Sequence, residues 1–151
     1  MSKNSFEEVI DFAISREKEA VQFYQSLQNI AKFNAQKVLL QEFENMEKGH
    51  VTLLENVLKR GGIEGLNPKA PVDLHLNEYL VPSKPAEEMT YQDILITAIK
   101  REEKSANLYS RMLDDAEDEQ IRKVFSQLVT EESKHKNHFE QLYEQDIQTD
   151  N

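Results

Sequence analysis

The sequence predicts an all-α protein: a four-helix bundle in which a long crossover joins helices 2 and 3. Two features indicate this fold. The four glycines and four prolines fall mostly between Gly61 and Pro85, so the rest of the chain contains few helix breakers. In that remainder, apolar residues recur at spacings of three and four, which places one apolar stripe on each helix.

Capping and stop signals predict where the helices begin and end. Ser5 and Thr90 each start a capping box, with an acidic residue three positions later. Gly61 follows two cationic residues and is typical of a helix C-terminus. Weaker breaks at 32–34 and 114–118 divide each half of the chain. The predicted helices are 6–31, 35–59, 91–115 and 119–145, which form the hairpins 6–59 and 91–145 with a crossover linker, 60–90, in one domain covering 1–151.

Composition excludes several functional classes. The chain of 151 residues has 28 acidic and 18 basic side chains, a formal net charge of −10, which disfavours binding to nucleic acid or to anionic membranes. It contains no cysteine, so disulfides, thiolate metal sites and cysteine nucleophiles are excluded. No stretch approaches the length of a membrane span, and residues 1–6 lack a signal-peptide pattern, so a cytoplasmic protein is expected.

An internal repeat relates the two predicted hairpins. Its register is 85 residues and contains no gap, although most aligned residues differ. The polar pairs related in this way are Glu17 and Glu102, Tyr24 and Tyr109, Glu47 and Glu132, and His50 and His135. The agreement at these positions indicates a shared role.

Each predicted apolar stripe carries one glutamate near its middle, and the second and fourth stripes add a histidine three residues later. A buried ionised carboxylate is costly without a positive partner, and no Lys or Arg lies on these stripes. Two divalent cations would neutralise four carboxylates, in the arrangement of dimetal carboxylate bundles. Oxygen-rich sites with one imidazole per metal suit iron or manganese, with zinc as a substitute. The predicted metal ligands are Glu17, Glu47, His50, Glu102, Glu132 and His135.

Four sequence stretches carry a resemblance to a known family. AISREKEAVQFY, ending at Tyr24, and AIKREEKSANLY, ending at Tyr109, resemble the Glu-bearing helices of rubrerythrins, and EKGH and ESKH resemble their metal motifs. The chain is thus similar, over almost all its length, to the rubrerythrin-like branch of the ferritin-like superfamily. The resemblance implies a ferritin-like bundle with two iron ions per chain, bridged by Glu47 and Glu132, with the other four ligands terminal. It also implies that the phenols of Tyr24 and Tyr109 hydrogen-bond ligating carboxylates.

Two departures from that family affect the expected chemistry. Full rubrerythrins carry a cysteine-bound rubredoxin iron domain, whereas this chain has no cysteine, so electrons would come from an external donor. Rubrerythrins also usually have a further glutamate on the third helix, where this sequence has Ser105. The set of four glutamates and two histidines therefore also resembles a bacterioferritin ferroxidase centre.

These observations predict a diiron oxidoreductase that reduces peroxide or oxygen. The first alternative is a ferroxidase or iron-handling protein for which Fe(II) is the substrate. The second is a non-catalytic helical interaction module that metal stabilises.

The repeat also predicts the path of the crossover. A metal site with twofold symmetry makes helices 2 and 3 parallel, so residues 60–90 must run the length of a helix of about 38 Å. Apolar residues in this linker predict that it packs on the bundle or covers a partner subunit, and a homodimer is expected, with exchange of hairpins between chains as an alternative. These apolar residues are Leu66, Leu74, Leu76, Tyr79, Leu80 and Val81.

Polar residues near the predicted ligands have simpler interpretations. Glu103 and Glu131 lie about 100° around their helices from a ligand and are predicted to be solvated. His138 is predicted at the rim of the site, and His75 has no ligand companion nearby in the sequence. A salt bridge at the bundle edge explains the repeated Arg16 and Arg101 as well as a functional role does.

Overall fold

The computed structural model describes residues 5–31, 33–59, 76–82 and 88–150. They contain four long helices and one short 3₁₀ helix, with no strand in these ranges, which confirms the all-α prediction. The helices are α1 (Ser5–Ile30), α2 (Asn34–Lys59), α3 (Tyr91–Asp115) and α4 (Glu119–Asp150), and the 3₁₀ helix is Leu76–Tyr79. The observed bounds lie within one residue of the predicted ones except at the end of α4, which extends five residues beyond the predicted 145.

Local signals account for the ends of α3 and for the start of α4. The Thr90 hydroxyl accepts from the Asp93 amide at 3.0 Å, and the Asp93 carboxylate accepts from the Thr90 amide at 3.1 Å, so the predicted capping box forms. Ala116 is extended and ends α3, and the Asp118 carboxylate accepts from the Gln120 amide at 3.2 Å where α4 begins. The predicted glycine stop at Gly61 lies outside the described residues.

Side-chain contacts establish the helix directions. On α1 and α3, Glu17 meets Tyr109 while Tyr24 meets Glu102, so these two helices are antiparallel. Glu17 also approaches His50 of α2, and residues later in α1 contact earlier residues of α2, so α1 and α2 are antiparallel as well. Helices α2 and α3 therefore run in the same direction. The connection between them must join opposite ends of the bundle, as a long crossover requires.

The apolar core is divided into two clusters, one toward each end of the bundle. The first includes Ile10, Leu54 and Phe125, and the second includes Leu27 and Phe139. All four helices contribute to both clusters. The polar layer described below lies between them, so apolar packing on both sides positions it.

The crossover packs on the bundle in part. Leu76 and Tyr79 are partly buried against the first apolar cluster, in line with the prediction. Leu80 is 43% exposed and does not pack down on the bundle, so for this residue the alternative, contact with a partner subunit, stays a prediction. Leu66, Leu74 and His75 lie outside the described residues. In the described part of the chain, no helix has the length and apolarity needed to cross a membrane.

Candidate metal centre

Six polar side chains converge in the middle of the bundle, and all are buried. Their ligand-capable atoms form two overlapping groups, in each of which every such atom lies within 4.8 Å of the others. One group contains Glu17 and His50, the other contains Glu102 and His135, and both contain Glu47 and Glu132. These are the six residues that the sequence predicted as metal ligands, and the structure brings all of them together.

Helix geometry explains how this convergence arises. Residues three apart lie on one face of a helix, so Glu47 and His50 both point into the bundle from α2, with 3.6 Å between Glu47 Oε1 and His50 Nδ1. The 85-residue repeat appears as an approximate twofold relation. His50 Nδ1 lies 3.4 Å from Glu17 Oε2, and His135 Nδ1 lies 3.6 Å from Glu102 Oε2.

The inward-facing atoms of the six residues lack hydrogen-bond partners in the described part of the chain. The atoms are Glu17 Oε2, Glu47 Oε1, His50 Nδ1, Glu102 Oε2, Glu132 Oε1 and His135 Nδ1. Buried polar atoms are normally satisfied, and an orphaned one costs about 1–3 kcal/mol. One orphaned donor atom from each of six converging residues is the pattern expected of ligands to metal ions.

The electrostatics of the cluster also favour cations. Burial raises the pKa of Glu47 and Glu132 well above the usual value, and the neighbouring carboxylates raise it further, Glu17 first for Glu47 and Glu102 first for Glu132. Burial lowers the pKa of His50, but Glu17 and Glu131 outweigh this effect and raise it overall. The carboxylates of Glu47 and Glu132 are thus costly to ionise among their neighbours, and divalent ions would remove that cost.

Two tyrosines form hydrogen bonds with Glu17 and Glu102, the glutamates that each belong to only one ligand group. The Tyr24 hydroxyl of α1 donates to Glu102 of α3, and the Tyr109 hydroxyl of α3 donates to Glu17 of α1. Burial, followed by the charge of the nearest glutamate, raises the pKa of each phenol well above its usual value. Both phenols therefore stay protonated and act as donors, each holding one glutamate of the opposite hairpin.

The outer nitrogens of the two histidines have different neighbours. His50 Nε2 contacts the carboxylate of Glu131, whereas His135 Nε2 lies 3.1 Å from Met46 Sδ. The prediction that Glu131 is solvated was wrong, because its side chain is only 25% exposed and reaches across from α4 to α2. That prediction used only the angular position of Glu131 about the α4 axis. It did not consider which side chains of the facing helix, α2, Glu131 could reach. The sequence did contain one indication: the residues directly before the two Glu-x-x-His motifs, Met46 and Glu131, correspond in the repeat but differ in type.

Glu103 and His138 agree with their predictions, and the repeated arginines form ion pairs, while a functional role for them stays a prediction. Glu103 is exposed and lies 3.8 Å from Lys136, and His138 is partly exposed at the rim, 5.7 Å from the Phe43 ring. Arg16 pairs with Glu19 at 2.8 Å, and Arg101 lies 3.8 Å from the same glutamate. The repeated arginines thus form an ion-pair cluster on the α1–α3 face.

A small cavity of about 20 Å³ adjoins the carboxylates of Glu47 and Glu102. Ser105 and Tyr109 are among the residues that line this cavity, and a glutamate in place of Ser105 would reduce its volume. A cavity of this volume holds about one water-sized molecule. The cavity therefore leaves room for about one small molecule beside the carboxylates.

The comparison with family models agrees with the fold and the polar cluster. The rubrerythrin model matches residues 8–143. The chain belongs to the rubrerythrin family. Rubrerythrins are ferritin-like helical bundles that bind two irons through carboxylates and histidines. A search of curated proteins finds no match to the chain.

The residues of this rubrerythrin fit a pair of metal ions. The six orphaned atoms supply oxygen and imidazole nitrogen, the donor types that iron and manganese accept. Glu47 and Glu132 belong to both groups, which is the position of a shared ligand. The structure therefore contains a carboxylate and histidine site suited to two metals.

Proposed function

We propose that this rubrerythrin is a diiron oxidoreductase that reduces hydrogen peroxide or oxygen. The observation that carries the proposal is the pair of overlapping ligand groups, whose six buried donor atoms have no hydrogen-bond partner in the described part of the chain. When bound, two irons supply the two electrons that, with two protons, convert one peroxide into two waters. An external donor then returns the pair to the reduced state.

The side chains of the centre have separate roles in this proposal. Glu17 and His50 would hold one iron and Glu102 and His135 the other, while Glu47 and Glu132, which belong to both ligand groups, would be shared between them. Tyr24 and Tyr109 fix the outer glutamates by hydrogen bonds, which keeps the ligand geometry constant while charge at the centre changes.

Space and composition support small substrates and a separate electron source. The cavity beside Glu47 and Glu102 has room for about one small molecule, which favours a diatomic or similarly small substrate over an organic one. The chain has no cysteine for a thiolate-bound iron of its own, so electrons reach the centre from another protein or from a small reductant.

A ferroxidase activity is the second candidate, and Ser105 is the observation that favours it. Ser105 lines the cavity where rubrerythrins usually provide a further glutamate, leaving a symmetric set of four glutamates and two histidines. A symmetric set of this kind resembles a centre through which Fe(II) passes as substrate. The net charge of −10 would also attract Fe(II).

Stopped-flow oxidation of anaerobically Fe(II)-loaded protein tests the proposal. Peroxide and oxygen are compared at two and at many irons per chain, with zinc-loaded protein as the redox-inert control. We expect faster oxidation by peroxide, saturation at two irons per chain, and the same reaction again after reduction. Faster oxidation by oxygen that continues as Fe(II) is added would instead establish a ferroxidase.

A further inference from the structure

The internal repeat is broken at one pair of positions that touch the metal centre. Met46 and Glu131 correspond in the 85-residue register, and each immediately precedes a Glu-x-x-His motif. Each also contacts the outer ring nitrogen of the histidine on the opposite hairpin. The two halves of an otherwise symmetric centre thus differ in the atom that faces each histidine.

On one side, a carboxylate faces the histidine. His50 Nε2–H donates to one oxygen of Glu131, and Gln127 Nε2 donates to the other oxygen at 3.2 Å. The His50 side chain is only 4% exposed, and that of Glu131 is 25% exposed. Glu131 is therefore held in place on α4 while it binds the ring of α2.

On the other side, a thioether takes the place of the carboxylate. His135 Nε2 lies 3.1 Å from Met46 Sδ, and the Phe43 ring packs against the imidazole with 4.5 Å between ring centroids. Thioether sulfur is only a weak acceptor. The His135 ring is thus positioned by packing more than by a strong hydrogen bond.

This difference affects how well each imidazole binds a metal. A carboxylate on the outer N–H places the proton on Nε2, leaves the Nδ1 lone pair directed into the site, and makes the imidazole a stronger donor. Loss of such a partner typically lowers metal affinity by roughly 10–100-fold. A weak sulfur acceptor supplies little of this effect.

We propose that Glu131 is a positioning residue that makes the Glu17–His50 metal position the tighter of the two. The inference rests on the ligand set of the proposed function but not on the reaction catalysed. It assigns an order of loading, in which the first ion binds beside His50 and the second beside His135.

Anaerobic calorimetric titration of metal-free protein with Mn(II) tests the inference, using the wild type and the exchange variants Glu131→Met and Met46→Glu. We expect two unequal steps in the wild type. Glu131→Met weakens the tighter step by roughly 10–100-fold, so that the steps converge. Met46→Glu tightens the weaker step, a gain that damage to the fold would not produce.

Glu103→Met is the matched control, since it also removes one negative charge beside a proposed ligand but lies exposed on α3. The two Mn(II) binding steps of Glu103→Met should have the same affinities as those of the wild type. Equal sites in the wild type, or an unchanged tighter step in Glu131→Met, would overturn the role of Glu131 while leaving the dimetal centre intact. Failure of the wild type to bind two Mn(II) per chain would overturn the centre itself, and this inference with it.

Discussion

The α1–α2 and α3–α4 hairpins are alike at the six candidate ligands and the two buried tyrosines and differ at most other positions. Glu17 and Tyr24 have exact counterparts in Glu102 and Tyr109, and each tyrosine bonds the glutamate of the other hairpin. Away from this layer, most corresponding positions differ. The comparison indicates that the centre requires particular functional groups, whereas helix packing outside it requires only apolar volume.

Among the described residues, two further polar arrangements distinguish the hairpins. In the first, the Glu44 carboxylate accepts from Gln25 at 2.9 Å and from Gln28 at 2.7 Å, and Lys48 lies 2.7 Å away. The corresponding residue in the second hairpin is Val129. In the second hairpin, the Arg122 guanidinium donates to carbonyls at the end of α3.

The largest effect should come from removing a shared carboxylate. We expect Glu47→Ala and Glu132→Ala each to lower iron binding from two ions per chain to fewer than one, because each carboxylate belongs to both ligand groups. Glu17→Ala should lose mainly one position, since Glu17 belongs to one group. Iron per chain after anaerobic loading and desalting measures this.

The exposed Glu42 of α2 gives a matched control, and Glu42→Ala should retain two irons. If Glu47→Ala protein still bound two irons with an unchanged absorption spectrum, the assignment of Glu47 as a ligand would be wrong. The two hairpins would then not contribute equivalent ligands to the centre.

Removing the charge of Glu44 in the first hairpin should have a smaller effect, which is on the free energy of unfolding. The hydrogen bond from Lys48, followed by those from Gln25 and Gln28, lowers the pKa of Glu44 to about 2. We expect Glu44→Gln to lower the free energy of unfolding by about 1 kcal/mol at pH 7, a modest value because Lys48 is exposed and the pair is partly screened. Urea denaturation of both proteins measures it.

The pH dependence of this effect has a definite sign. The folded-state pKa of about 2 lies below the ordinary 4.5, so the stabilisation by Glu44 is complete above about pH 4.5 and is lost as the pH falls toward 2. The difference between wild type and Glu44→Gln should shrink over that interval. A difference that stays constant from pH 7 to pH 2 would show that the Glu44 charge contributes nothing.

Removing the Arg122 side chain in the second hairpin should have the smallest effect on the free energy of unfolding. Arg122 Nη1 donates to the carbonyls of Leu113 at 2.7 Å and Ala116 at 2.9 Å, at the end of α3 where helical partners run out. We expect Arg122→Ala to lower the free energy of unfolding by about 0.5–1 kcal/mol. Lys37→Ala, at the corresponding exposed position of the first hairpin, should change it by less than about 0.5 kcal/mol. Equal losses in the two variants would argue against a specific cap at Arg122.

The sequence was sufficient for the helices and for the selection of the six central residues. Helix bounds depend on local groups such as Thr90 and Asp93, whose hydrogen bonds join residues three apart, so they can be read without the rest of the fold. The central residues were found because a carboxylate on an apolar stripe is costly, and because four such stripes agree in an 85-residue register. The structure brings these six together, while their binding of iron stays a prediction.

The tertiary structure alone decided which groups face the centre from another helix. Glu131 was misread because its position on α4 gives no information about His50 of α2, and the crossed bonds of Tyr24 and Tyr109 depend on α1 and α3 being antiparallel neighbours. Periodicity describes one helix and the direction of each side chain about its axis. Contacts between helices depend on their packing and on the reach of their side chains, and these come from the folded bundle as a whole.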